Sequence, residues 1–206
     1  MKKLIGSLFI LAGILLGSYT LIQWNGSASS AQDFEEEDKQ LAEEVLEKSH
    51  KTNEIIEEKT DKISVASPKE ENYKVGDKVA MLSIPKIEKK FSVFWGTDEN
   101  TLEKGVGMMD SDSTTTPAKQ GHTVLSGHRD TVFVELGELA KGDHLLLTVD
   151  EIVYSYEISD IWITDKDDRT VIVPKAEATL TLTTCYPFDF IGHAEQRYII
   201  QGKLIG

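Results

Sequence analysis

One cysteine stands among 206 residues: Cys185, in "TLTLTTCYPFDF" (179–190), directly after a strand-forming run and two residues before Pro187. Successive strand side chains point to opposite faces, so Cys185 shares a face with Thr181 and Thr183, while Leu180 and Leu182 share the other. A cysteine that only filled a core belongs among the leucines, because buried structural thiols behave as small hydrophobes. On the threonine face the thiol is placed to be reached. A lone cysteine cannot form an intramolecular disulfide, so this one is free, paired with another chain, or a nucleophile.

A free thiol, with a reference pKa of about 8.5, is only slightly ionised at neutral pH, so a nucleophilic role calls for a nearby imidazolium or guanidinium. Of the five histidines, His50 lies in a charged segment, His144 follows a Gly-Asp turn, and His193 sits in the loop "DFIGHAEQR". These three read as solvated residues. His122 and His128 bracket "HTVLSGH". His128 ends that run beside Gly127, where backbone can approach closely, and is the preferred partner. The arginines are Arg129, Arg169 and Arg197. Arg169, in "TDKDDRT", reads as a loop ion-pair residue. Arg197 opens the last apolar run, and its planar fork suits a developing oxyanion better than an ammonium does. Position alone leaves it either that donor or a surface strand residue. The acidic stretches "DSDS" (110–113) and "DKDD" (165–168) lack the remaining ligands and the glycine of a calcium loop, so they read as solvated turns and no metal site is assigned.

The elements that must position these residues are mostly strands. "VAMLSIP", "FSVFWG", "HTVLSGH", "HLLLTVD", "VYSYEISDIWIT", "TLTLTTC" and "RYIIQGKLI" are apolar or alternating and are separated by Gly, Pro, Asp and Lys turns. Regular short strands predict a sandwich or closed barrel beginning near Tyr73. "TVFVELGELAKGD" (131–143) is the exception and reads as a short helix or 3₁₀ turn. Residues 24–72 are expected to be a charged linker: "DFEEEDKQLAEEVLEKSHKTNEIIEEKTD" permits a helix with only a thin apolar stripe, which favours a solvated stalk over a packed element.

Residues 1–23 read as a membrane anchor. After Lys2 and Lys3, Leu4 to Ile22 carry no charge. As a helix the run would be roughly 28 Å long, enough to span a bilayer. A cleaved secretory signal is the competing reading, with "NGSASSA" offering small residues for a cleavage site, but signal cores run to about 7–15 residues. With the lysines kept inside, everything after Trp24 is expected outside the cytoplasm. The net charge of −13 argues against a nucleic-acid binder, which gains affinity from a basic face.

Together, "LSGHRDTVF" (125–133), "TLTTCYPF" (181–188) and "QRYIIQGKL" (196–204) resemble the sortase family, the membrane-anchored cysteine transpeptidases of Gram-positive bacteria. The order of His128, Thr-Leu-Thr-Thr-Cys185 and Arg197 matches the family pattern, and the likeness covers most of residues 73–206. The resemblance implies a mostly β fold, a closed eight-stranded barrel with short helices, preceded by the N-terminal transmembrane helix. It implies Cys185 as nucleophile, His128 as general acid and base, and Arg197 as stabiliser of oxyanion or substrate. It also implies proteins bearing an LPXT-type sorting signal as one substrate and a cell-wall precursor amine, such as lipid II, as the other. No cofactor is expected, although some sortases are stimulated by calcium on acidic loops, which leaves an accessory ion open. "YPF" after the cysteine and "GHRDT" around the histidine resemble class D; class E shares the overall pattern.

Other readings fit less well. An L,D-transpeptidase carries Ser-His-Gly-Cys where this chain has Thr-Thr-Cys, and a papain-like peptidase runs cysteine before histidine. From a different class, a membrane-tethered binding or sensor domain would use the same anchor, stalk and barrel with an inert thiol.

Overall fold

The computed structural model describes residues 13–14, 16–18, 31–55, 72–189 and 192–205. Nine strands lie among them: β1 (Ala31–Asp33), β2 (Lys78–Ile84), β3 (Lys89–Trp95), β4 (Val106–Met108), β5 (His122–Ser126), β6 (His144–Val149), β7 (Ile152–Asp165), β8 (Thr179–Tyr186) and β9 (Gln196–Leu204). Helix α1 (Glu36–Ile55) follows β1, and the short helix α2 (Glu99–Leu102) follows β3.

Alternation explains the core. Leu82 and Ile84 of β2, Phe91 and Val93 of β3, Leu145 and Leu147 of β6, Tyr156 and Ile158 of β7, and Leu180 and Leu182 of β8 all turn inward and are almost fully buried. Each such side chain contributes about 1.5–3 kcal/mol of transfer free energy. From β3 the sheet runs β2, β6, β7, β9, β8, β5 and β4, and β4 then pairs in parallel with β3. That last pairing closes an eight-stranded barrel, which removes free sheet edges. β4 is only three residues long, and its central Gly107 runs against neighbouring backbone: a Cβ there would lie 2.4 Å from the Gly96 carbonyl oxygen.

The segment before the barrel differs from the expected solvated stalk. β4 covers β3 only at Val93–Trp95, and β1 fills the remaining edge, pairing Ala31 with Phe91 and Asp33 with Lys89. α1 continues from it with Ala42 buried, and ion pairs tie Asp33 to Lys89, Asp38 to Lys90 and Lys39 to Glu88 at 2.6–2.8 Å. A thin apolar stripe suffices for docking here because strand pairing and charge supply the rest. Of the short helix or 3₁₀ turn expected within 131–143, the structure has the 3₁₀ turn, Leu136–Glu138, set among other turns. Among the described residues no helix is long and apolar enough to cross a membrane, and the run from Leu4 to Ile22 lies almost wholly outside them.

Candidate active site

β8 is flanked by β5 on one side and β9 on the other. The antiparallel register with β9 pairs Cys185 directly with Arg197. The parallel register with β5 pairs Ser126 with Thr183. Carried two residues further, it sets His128 level with Cys185. Adjacent strands are about 4.8 Å apart, so histidine, thiol and guanidinium form one row across three neighbouring chain segments. Alternation also places them on one face. Leu125, Leu182 and Ile200 point into the barrel core, which leaves Ser126, Thr183 and Ile199, and with them the row, on the outer side.

Local contacts hold the row in place. The Gly127 amide donates to the Thr183 carbonyl at 3.2 Å, and the Thr184 hydroxyl donates to the Gly127 carbonyl at 2.8 Å. Thr184 occupies an inward position where a leucine would otherwise fit, so its hydroxyl is fully buried and anchors the residue just before His128. Gly127 is needed because a Cβ would lie 2.6 Å from Val132 and 2.8 Å from Phe133. His128 and Cys185 are each half-buried, so both are open to a ligand. Glu99, at the start of α2, approaches His128 Nε2 at 4.0 Å from an exposed position. Arg197 is held to its own turn, Nη1 donating to the carbonyls of Ala194 and Gln196 at 3.1 and 3.0 Å. Among the described residues Nη2 and Nε have no partner, which leaves part of the fork for a bound group.

Beside the row lies a groove of about 180 Å³. Ser126, Thr183 and Ile199 form its floor, Arg197 one end, and Val171 and Ile172 of the β7–β8 loop an apolar wall. The "DKDD" carboxylates fold that loop: Asp168 accepts from the Thr164 hydroxyl and from the Thr170 amide and hydroxyl, and Asp165 from the Asp167 amide. The Thr164 and Thr170 bonds hold the Asp168 carboxyl below its ordinary pKa. Among the described residues no three His, Cys, Asp or Glu side chains converge on a possible metal site. Lys166 ties the loop to Glu195 by a backbone bond and an ion pair, so it is braced against the β8–β9 connection.

The other candidates are apart from the row. His122 is 1% exposed, with its ring nitrogens on the Val173 carbonyl and the Thr181 hydroxyl, both at 2.7 Å. It pins the β7–β8 loop to β8. His144 begins β6, and His193 and Arg169 are exposed in loops. Sequence reasoning assigned no role to Arg129, which is 9% exposed and donates to the carbonyls of Pro187 and Gly192. The only advance signal was its place immediately after the chosen histidine.

Residues 82–205 match the family model described as the Sortase domain. Over all 206 residues, and the full length of both chains, the sequence is 40% identical to Sortase D of Bacillus subtilis (strain 168). The solved catalytic domain of B. anthracis SrtD is 62% identical, with a TM-score of 0.58, across 70% of this chain and 97% of that one. A Clostridium perfringens Sortase D5 transpeptidase is 28% identical with a TM-score of 0.57, covering 80% and 95%.

Proposed function

The chain belongs to the sortase family of cysteine transpeptidases, and from that premise we propose that it cleaves an LPXT(A/G)-type sorting signal after threonine and transfers the new carboxyl end to a cell-wall precursor amine. Its likeness is to class D sortases. The observation that carries the reading is the row of His128, Cys185 and Arg197 on one face, beside a groove with an apolar wall. That wall suits the leucine and proline of such a signal.

The Cys185 thiolate adds to the threonine carbonyl carbon, and the oxygen takes the negative charge. Arg197, with fork nitrogens to spare beside the cysteine, stabilises that charge. The C–N bond then breaks as His128 gives a proton to the departing amine, leaving a thioester on Cys185. In the second half an incoming amine loses a proton to His128 and attacks the thioester carbon, forming the amide and releasing the thiolate. The covalent intermediate divides one difficult amide exchange into two easier steps. Lipid II fits as the amine donor. Sortases are generally cofactor-independent cysteine enzymes, and every step proposed here uses the chain's own side chains. Lys2, Lys3 and the uncharged run from Leu4 to Ile22 support a single-pass anchor with the barrel outside the cytoplasm.

Mass spectrometry of the protein incubated with LPXTG and LPXTA peptides and a short amine tests the reading. A thioester adduct and an amine-capped product, both absent in Cys185→Ala, are expected. Neither appearing with either peptide, in folded protein whose thiol still alkylates, rules out this signal class.

A further inference from the structure

Arg129 follows His128 in sequence, yet both hydrogen bonds described for it reach the connection that follows Cys185. Nη1 donates to the Pro187 carbonyl and Nη2 to the Gly192 carbonyl, each at 2.9 Å and across 58 and 63 residues of chain. Pro187 lies two residues beyond the thiol, and Gly192 lies five before Arg197. One guanidinium therefore grips the β8–β9 connection at two points, its first residue and Gly192, from a place next to the histidine.

The grip is specific to this side chain. Two carbonyls approached by two separate nitrogens need a rigid fork, and a lysine ammonium at the same place offers a single point. Ordering the long side chain is offset by burial at 9% exposure, where charge-assisted bonds to carbonyls are strong. Phe188, within the gripped connection, packs beside Gly137 and stacks edge-on to Tyr186 and Tyr198, so the same connection is also packed against the barrel core.

We propose that Arg129 is a positioning residue for the transpeptidation: it locks the β8–β9 connection to the His128 segment and so sets the separation of imidazole, thiol and Arg197. The proposal rests on the sortase reading above. The two bonds described for Arg129 go to backbone carbonyls and to none of the reacting atoms. A loosened lock would leave the groove floor of Ser126, Thr183 and Ile199 in place on its strands while misaligning the row, so its effect belongs in kcat more than in KM.

The test compares full-length wild type, Arg129→Lys and Arg129→Gln by peptide turnover with an amine acceptor and by hydrogen exchange, after thermal unfolding confirms a folded barrel. Arg129→Lys keeps the charge and guards against a misfolded Arg129→Gln. Expected in Arg129→Lys is a tenfold or larger fall in kcat with KM within threefold, together with faster exchange in 186–196 and unchanged exchange in 179–184. Turnover within twofold of wild type, or unchanged exchange in 186–196, overturns the proposal. A fall in KM-related affinity with kcat preserved overturns it as well, by assigning Arg129 to substrate binding. Wild type inactive on every LPXT peptide marks the failure of the functional reading instead, and the proposal falls with it.

Discussion

At the scale of single residues, the cysteine and its neighbours were legible because alternation and residue type speak locally. Cys185 had to share a face with threonines, and His128 had to end its run. Arg129 and Thr184 were not, because their roles consist of bonds to distant backbone carbonyls, and a carbonyl leaves no trace in sequence. His122 shows the same limit from the other side: the place of His128 beside Gly127 favoured it in sequence, but the structural role of His122, buried against Val173 and Thr181, was not legible there. Burial lowers the His122 pKa from the ordinary 6.5, opposed by the bond to the Val173 carbonyl and assisted by Lys175. The unfolded chain therefore takes up a proton near pH 6.5 that the folded chain resists. Stability present at pH 7 is lost as pH falls below that value, with a slope of up to about 1.4 kcal/mol per pH unit. Thermal unfolding at pH 7 and pH 5.5 should show a smaller fall in Tm for His122→Gln than for wild type. Equal falls would assign the dependence to other groups.

At the scale of elements, the strands with sustained alternation were readable, whereas β4 was hidden. A three-residue strand has too few positions to display a period, and its central glycine is fixed by close backbone contact with Gly96, a tertiary fact. β1 was hidden too, since "AQD" has no apolar pattern and pairs only because β4 leaves part of β3 uncovered. The turn between β5 and the residues after His128 is similarly constrained. Gly127→Ala would push against Val132 and Phe133, an overpacking worth about 1–3 kcal/mol, or a fall in Tm of roughly 2–12 °C. Because Gly127 adjoins His128, turnover should fall by more than the lost stability accounts for when both are measured well below Tm. A variant that loses Tm and keeps full kcat would separate this turn from the chemistry.

At the scale of the whole molecule, the strand pattern left sandwich and closed barrel both open and family resemblance chose the barrel, while the docking of the N-terminal segment was reachable through neither residues nor resemblance. Lys89 holds the Asp33 carboxyl below its ordinary pKa by a hydrogen bond and its charge; at Asp38 burial pushes upward, but the Lys90 bond, the Glu35 amide and the Lys90 charge together lower it. Depressed carboxylates contribute to docking above about pH 4 and lose that contribution as pH falls through their docked values. Exposed pairs of this kind contribute little individually and are screened by salt. Lys90→Glu should accelerate hydrogen exchange across residues 31–48 at neutral pH while leaving β6 and β9 unchanged; retained protection would mean that β1 pairing and Ala42 suffice. The docked strand also bears on reach. A free linker over residues 24–72 would let the barrel roam up to roughly 170 Å from its anchor, whereas with β1 in place only residues 23–30 span the gap, about 30 Å at full extension. With Leu4–Ile22 in a bilayer as proposed, the point where β1 docks on the barrel stays within that distance of the lipid surface. For any client itself held at the membrane, capture then becomes a lateral encounter, set by surface density instead of by concentration in the surrounding volume.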